Sequence, residues 1–150
     1  MRLLWSITAA AAGVSLLAKV LVDRFLMNRI PIIGSFAGLQ YSLNPGVAFG
    51  IRFPPFIQEL LIGAALLAVL WLAIRSTRSL LPPSYQLRAT SYELILGGGI
   101  ANIIDRLPDG VVTDYFQIGT FPVFNVADSC ISIGVLMLLM EMLVWRRCKT

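Results

Sequence analysis

The 150-residue chain contains no histidine, and only 13% of its residues are charged. Without histidine there can be no triad built on an imidazole base, and the commonest zinc ligand is missing. Cysteine is scarce too. Cys130 and Cys148 lie at the start and beyond the end of one predicted helix. A helix of that length holds them too far apart to bridge. A soluble domain carries roughly a quarter charged residues. So few charges cannot cover a surface against water, and a mean hydropathy of +0.80 points the same way: the solvent for most of this surface is lipid. No nucleic-acid motif accompanies the net charge of +4, so no nucleic-acid partner is expected and the basic residues read as a topology signal.

What is abundant is apolar sequence, 57% of the chain. Four runs approach the roughly 20 residues a membrane helix needs. They fall at about Leu3–Val22, Phe56–Ile74, Leu87–Ile104 and Val126–Trp145. The third is the weakest and contains Gly97, Gly98 and Gly99, which suit close helix packing or a slot for an acyl chain. The first begins like a signal peptide, but its apolar run continues past the small residues Ala9–Ala12, so it reads as an uncleaved span. Four spans put both termini on one side. That side holds seven basic residues (Arg2, Arg75, Arg78, Arg88, Arg146, Arg147, Lys149) against five on the other, which favours cytoplasmic termini.

The loops differ. Ser76–Gln86 contains Pro82-Pro83 and reads as a connector. Asp23–Pro55, with alternating apolar residues and Pro31, Gly34 and Gly38, suggests short strands on the outer face. In Arg106–Phe124, Pro108-Asp109-Gly110 signals a turn before a short extended stretch. The fold class expected is an all-α membrane protein, one domain over residues 1–150. It has four transmembrane helices and a small β-rich element on the outer face built from the first long loop.

Of the eight acids, Asp105, Asp109, Asp114 and Asp128 crowd into one region. Asp105 closes the third run and Asp128 opens the fourth. If these spans are antiparallel neighbours, the loop between them brings Asp114 back towards Asp128. Two adjacent carboxylates cannot both ionise cheaply, so they share a proton and offer an acid and a base together. Spacing alone leaves other readings open. Asp109 fits a turn, Asp128 an N-cap, the asparagines caps or turns, and Arg106 a partner for Asp105. A membrane protein with an ion path is the rival class, but acids along such a path would be spread through the depth of the spans.

Four blocks give the chain a resemblance to a known family. They are Asn44-Pro-Gly-Val-Ala-Phe-Gly50, Gly97-Gly-Gly-Ile-Ala-Asn-Ile-Ile-Asp-Arg106, Gly110-Val-Val-Thr-Asp-Tyr115 and Phe124-Asn-Val-Ala-Asp-Ser129. Together, in this order on a four-span chain, they resemble the bacterial lipoprotein signal peptidases (type II signal peptidases). The resemblance implies that Asp114 and Asp128 are catalytic, and that Asn44, Gly46, Asn102, Asp105, Arg106, Asn125 and Ala127 bind substrate or support the site. It implies a membrane aspartic endopeptidase of the bacterial inner membrane, needing no metal or cofactor. Its partners would be membrane lipids and lipid-modified precursor proteins, cut before a diacylglyceryl cysteine, and the enzyme is expected to act as a monomer. Three positions depart from the family pattern. Ser15 stands where the family has Asp, four residues before Lys19; Ala101 replaces Gly, and Tyr115 replaces Phe.

Overall fold

The computed structural model describes residues 2–46, 53–77 and 84–147. Residues 47–52 (which include the last four of the first block), most of the Pro82-Pro83 connector and the basic tail beyond Arg147 lie outside the described residues. Four helices and four strands follow in the order α1 (Arg2–Phe25), β1 (Ile30–Ile33), β2 (Ala37–Asn44), α2 (Pro55–Thr77), α3 (Ser84–Arg106), β3 (Val112–Ile118), β4 (Phe121–Phe124) and α4 (Val126–Arg147).

Each helix outruns its apolar stretch, because polar residues at the ends find local partners. In α1, Lys19 pairs with Asp23 one turn on at 2.7 Å, carrying the helix past Val22. Three helical stretches are long and apolar enough to cross a membrane: Trp5–Phe25, Phe56–Arg75 and Val126–Leu143. Helix α3 is as long but carries Arg88, Glu93, Asp105 and Arg106. Its position explains this composition. It packs against α4, α1 and α2, so protein encloses it where the others expose apolar side chains. Ser91, Glu93, Ile95, Leu96 and Ala101 along it are buried. Its weaker apolar signal is that of an inner helix, where polar groups can meet protein partners. One such partnership is Arg88 with the buried Glu141 of α4.

The consecutive glycines serve this central place. Successive helical residues point about 100° apart, and each glycine meets a different neighbour. A methyl group on Gly97 would lie 2.7 Å from the Thr8 carbonyl of α1. On Gly98 it would strike the Ala127 carbonyl of α4, and on Gly99 the Leu66 side chain of α2.

The strands form one antiparallel sheet in the order β1-β2-β3-β4. This corrects the expectation that the β element comes from the first long loop: β3 and β4 from the second loop complete it. The pairing of Ser42 with Asp114 and of Asn44 with Val112 joins the two loops. The β1–β2 hairpin turns at Gly34 and the β3–β4 hairpin at Gly119, with φ of 50° and 52°, a region glycine occupies without strain. Phe116, Phe121 and Phe124 pack ring to ring across the second hairpin, with centroids 5.5 and 5.9 Å apart. The sheet thereby delivers Asn44 and Asp114 to the ends of α3 and α4.

Candidate active site

Helix α4 starts with a reciprocal cap. The Asp128 amide donates to Asn125 Oδ1 at 2.8 Å, and the Asn125 amide donates to Asp128 Oδ2 at 3.3 Å. This satisfies amides that the first helical turn leaves without partners. It also fixes the Asp128 carboxylate, whose Oδ1 accepts from Asn102 Nδ2 of α3 at 2.8 Å.

Asp114 arrives from the sheet. Asn44 stands diagonal to it across the β2–β3 pair, within side-chain reach, and Asn44 Nδ2 donates to Asp114 Oδ2 at 2.9 Å. Asn125 Nδ2 donates to the other oxygen, also at 2.9 Å. Asn125 therefore holds both carboxylates, one through its side chain and one through its backbone. Asp114 is 1% exposed. Burial, and next the charge of Asp128, push its carboxyl up to about 7, against the opposing pull of the Asn44 and Asn125 amides and of Arg106. Burial likewise raises the Tyr115 phenol, whose oxygen accepts from the Val126 amide at 3.2 Å.

A cleft of about 730 Å³ opens beside these groups between α2, α3, α4 and β4. Asn44, Gly46, Asn102, Arg106 and Asp128 form its polar end; Ile62, Leu66, Val69, Ile95 and Ile133 are among its apolar walls. Of the other residues named from the sequence, Asp114, Asp105 and Ala127 do not line it; Asp114 lies behind Asn44 and Asn125, which hold it. Asp105 faces α1 and β3 instead, accepting the Thr113 amide at 2.7 Å and pairing with Lys19 at 3.3 Å. Ala127 is buried where α4 crosses Gly98. Asn125 is buried between the two carboxylates rather than on the cleft wall. Asp109 stays in its turn, accepting from the Val111 amide at 3.2 Å. Ser15 is buried and donates to the Ala11 carbonyl at 2.7 Å within its own helix.

The sequence reading passed over Gln58, Tyr115 as a hydrogen-bond partner, and the β4 residues Phe121–Phe124 that wall the cleft. A signal for Gln58 was present: it and Glu59 are the only amide or charged side chains between Phe56 and Ile74.

Comparison with known proteins shows the family and the fold. A family model described as Signal peptidase (SPase) II matches residues 7–144. The lipoprotein signal peptidase of Chlorobium luteolum is 42% identical over 130 residues, covering 78% of this chain and 75% of that protein. That of Pelodictyon phaeoclathratiforme is 37% identical over 159 residues, covering 93% of this chain and 89% of that protein. A solved structure described as a bacterial membrane enzyme, determined in meso at 2.3 Å resolution, superposes with a TM-score of 0.84. It is 22% identical and covers 100% of this chain and 93% of that one, a likeness of fold. The resemblance carried by the four sequence blocks is thus borne out over nearly the whole chain, which belongs to the signal peptidase II family of membrane endopeptidases.

Proposed function

We propose that Asp114 and Asp128 are the catalytic pair with which this family member removes signal peptides from lipoprotein precursors. The observation that supports this most directly is the bridging of both carboxylates by Asn125 beside the polar end of the cleft. Near neutral pH the pair carries one proton. The ionised member draws a proton from water as it attacks the scissile carbonyl, and the protonated member passes its own to the departing amine. No cofactor takes part. Asn44, Gly46, Asn102 and Arg106 hold the peptide backbone, while Asp105, Asn125 and Ala127 keep the site in shape from behind. The apolar walls receive the acyl chains of a diacylglyceryl cysteine, and the cut falls just before that residue.

All four helices span the bacterial inner membrane, α3 as the fourth span inside the bundle. Both termini are cytoplasmic, in keeping with Arg146, Arg147 and Lys149 after α4, and the sheet and the pair lie on the outer side. The protein acts as a single-domain monomer. Two acyl chains anchor far better than one, at about 0.8 kcal/mol per buried methylene, and keep the peptide at the depth of the pair.

The test is purified protein with two matched precursor peptides, one carrying diacylglycerol on its cysteine. Cleavage of the lipidated peptide alone is expected. Asp114→Asn and Asp128→Asn should bind it and release no product, whereas Asp109→Asn should cut normally. Equal cleavage of both peptides refutes lipid dependence, and near-normal turnover by Asp114→Asn refutes the assignment of the pair.

A further inference from the structure

Helix α2 presents an almost wholly apolar surface, and a polar side chain in such a span is costly. Between Phe56 and Ile74 the two exceptions, Gln58 and Glu59, are adjacent, and both are directed at one short turn. Gln58 Nε2 donates to the Pro45 carbonyl at 3.1 Å. Glu59 Oε1 lies 3.8 Å from Arg106 Nε, and the Arg106 guanidinium donates in turn to the Gly46 carbonyl. The turn is closed on itself by the Gly46 amide, which donates to Asn44 Oδ1 at 2.9 Å and leaves Asn44 Nδ2 aimed at Asp114. Gln58 is 3% exposed, and its Oε1 is buried with no hydrogen-bond partner among the described residues. An apolar residue of the same length would avoid the cost of that unpaired oxygen, so the gain from Gln58 lies at its other amide atom.

We propose that Gln58 is a positioning residue of the active site, which acts through the Pro45 carbonyl to hold Asn44 against Asp114. The inference rests on the reading of Asp114 and Asp128 as the catalytic pair. The turn is the only covalent link from β2 toward α2, and Gln58 fastens its middle residue to the helix start. Without that tie, Asn44 keeps its pairing with Val112, but the turn whose Gly46 amide fixes its Oδ1 loosens, and its Nδ2 is held less firmly against the carboxylate. Asp114 then keeps Asp128 from α4, Arg106 from α3, Tyr115 on its own strand and the Asn125 amide, but the Asn44 hydrogen bond that favours its ionised form is weakened. Its proton is held more tightly.

Gln58→Met tests this in the full chain in detergent. Methionine preserves length and burial and removes both the donor and the unpaired acceptor. The expected result is a fall in kcat/KM of roughly five- to tenfold, the size of one net hydrogen bond. The acid limb of the pH–rate profile should move upward by about half a unit. The thermal unfolding midpoint should be unchanged or higher. Parent kcat/KM with the parent pH profile overturns the proposal. So does a loss of activity that merely follows a loss of stability. Asp114→Asn is run alongside. If it keeps turnover, the catalytic pair itself is wrong; if it is inactive while Gln58→Met is normal, only the role of Gln58 falls.

Discussion

Asn125 and Asp128 cap each other across the first turn of α4, so the residue that starts the helix also orients a carboxylate of the active site. Stability and chemistry therefore meet in Asn125, and one substitution tests both. Serine is as good an N-cap as asparagine, but it has no amide to reach Asp114. Asn125→Ser should keep the cap and lose about 1–3 kcal/mol, through the buried Asp114 oxygen left without its donor. Its turnover should fall by about a hundredfold, since a buried hydrogen bond to a reacting carboxylate is lost. Thermal unfolding and single-turnover cleavage on the same preparation check both halves.

Burial of Asp114 gives a pH dependence of stability. Its carboxyl is raised in the folded chain from 3.8 to about 7. A raised carboxyl binds its proton more tightly when folded, so its contribution to stability is complete below about pH 4 and is lost as pH rises through about 7. Between those values the parent should lose stability with increasing pH. Asp114→Asn removes the titrating group, so its unfolding midpoint should vary less over this window and exceed the parent's at pH 8. A parallel pH dependence in both proteins would show that Asp114 is not the group responsible.

The glycines of α3 should differ in tolerance although they are adjacent. A methyl at Gly98 meets the Ala127 backbone, which cannot yield without moving α4 and, with it, Asp128. The atoms nearest a methyl at Gly99 belong to the Leu66 side chain, which can change rotamer. Gly98→Ala should destabilise by about 1–3 kcal/mol as an overpacked contact and lose most activity. Gly99→Ala should fold normally and show a raised KM, because Leu66 and Gly99 both wall the cleft. Unfolding curves and the kcat and KM of the two variants decide it.

Ser15 occupies a position where the family has an acid, yet among the described residues its hydroxyl bonds within α1, to the Ala11 carbonyl. Lys19 already has two carboxylate partners, Asp23 and Asp105. Ser15→Ala should therefore keep activity within about tenfold of the parent, as the loss of one local side-chain hydrogen bond. Complete loss of cleavage with normal membrane insertion would give this hydroxyl a direct part in the site.

Composition alone determined that the chain is a membrane protein, because a surface with so little charge has no favourable contact with water. The apolar runs located α1, α2 and α4 to within a few residues, and four motif blocks identified the family before any geometry was known. Motif identity also singled out Asp114 and Asp128, but could not say how a strand residue and a helix residue come together. Only the tertiary structure decided that. The β2–β3 pairing, between segments some 70 residues apart, sets Asn44 beside Asp114, and such a register depends on which strands find one another. Nor does hydropathy distinguish a helix that faces lipid from one enclosed by its neighbours. The weak signal of α3 reflects its central position, and its three glycines divide among three neighbours for the same reason. Asp105 and Asn102 are three residues apart and suggest a shared face, yet one turns to Lys19 of α1 and the other to Asp128 of α4. Which helix stands opposite each side chain is a property of packing, and no local sequence pattern encodes it.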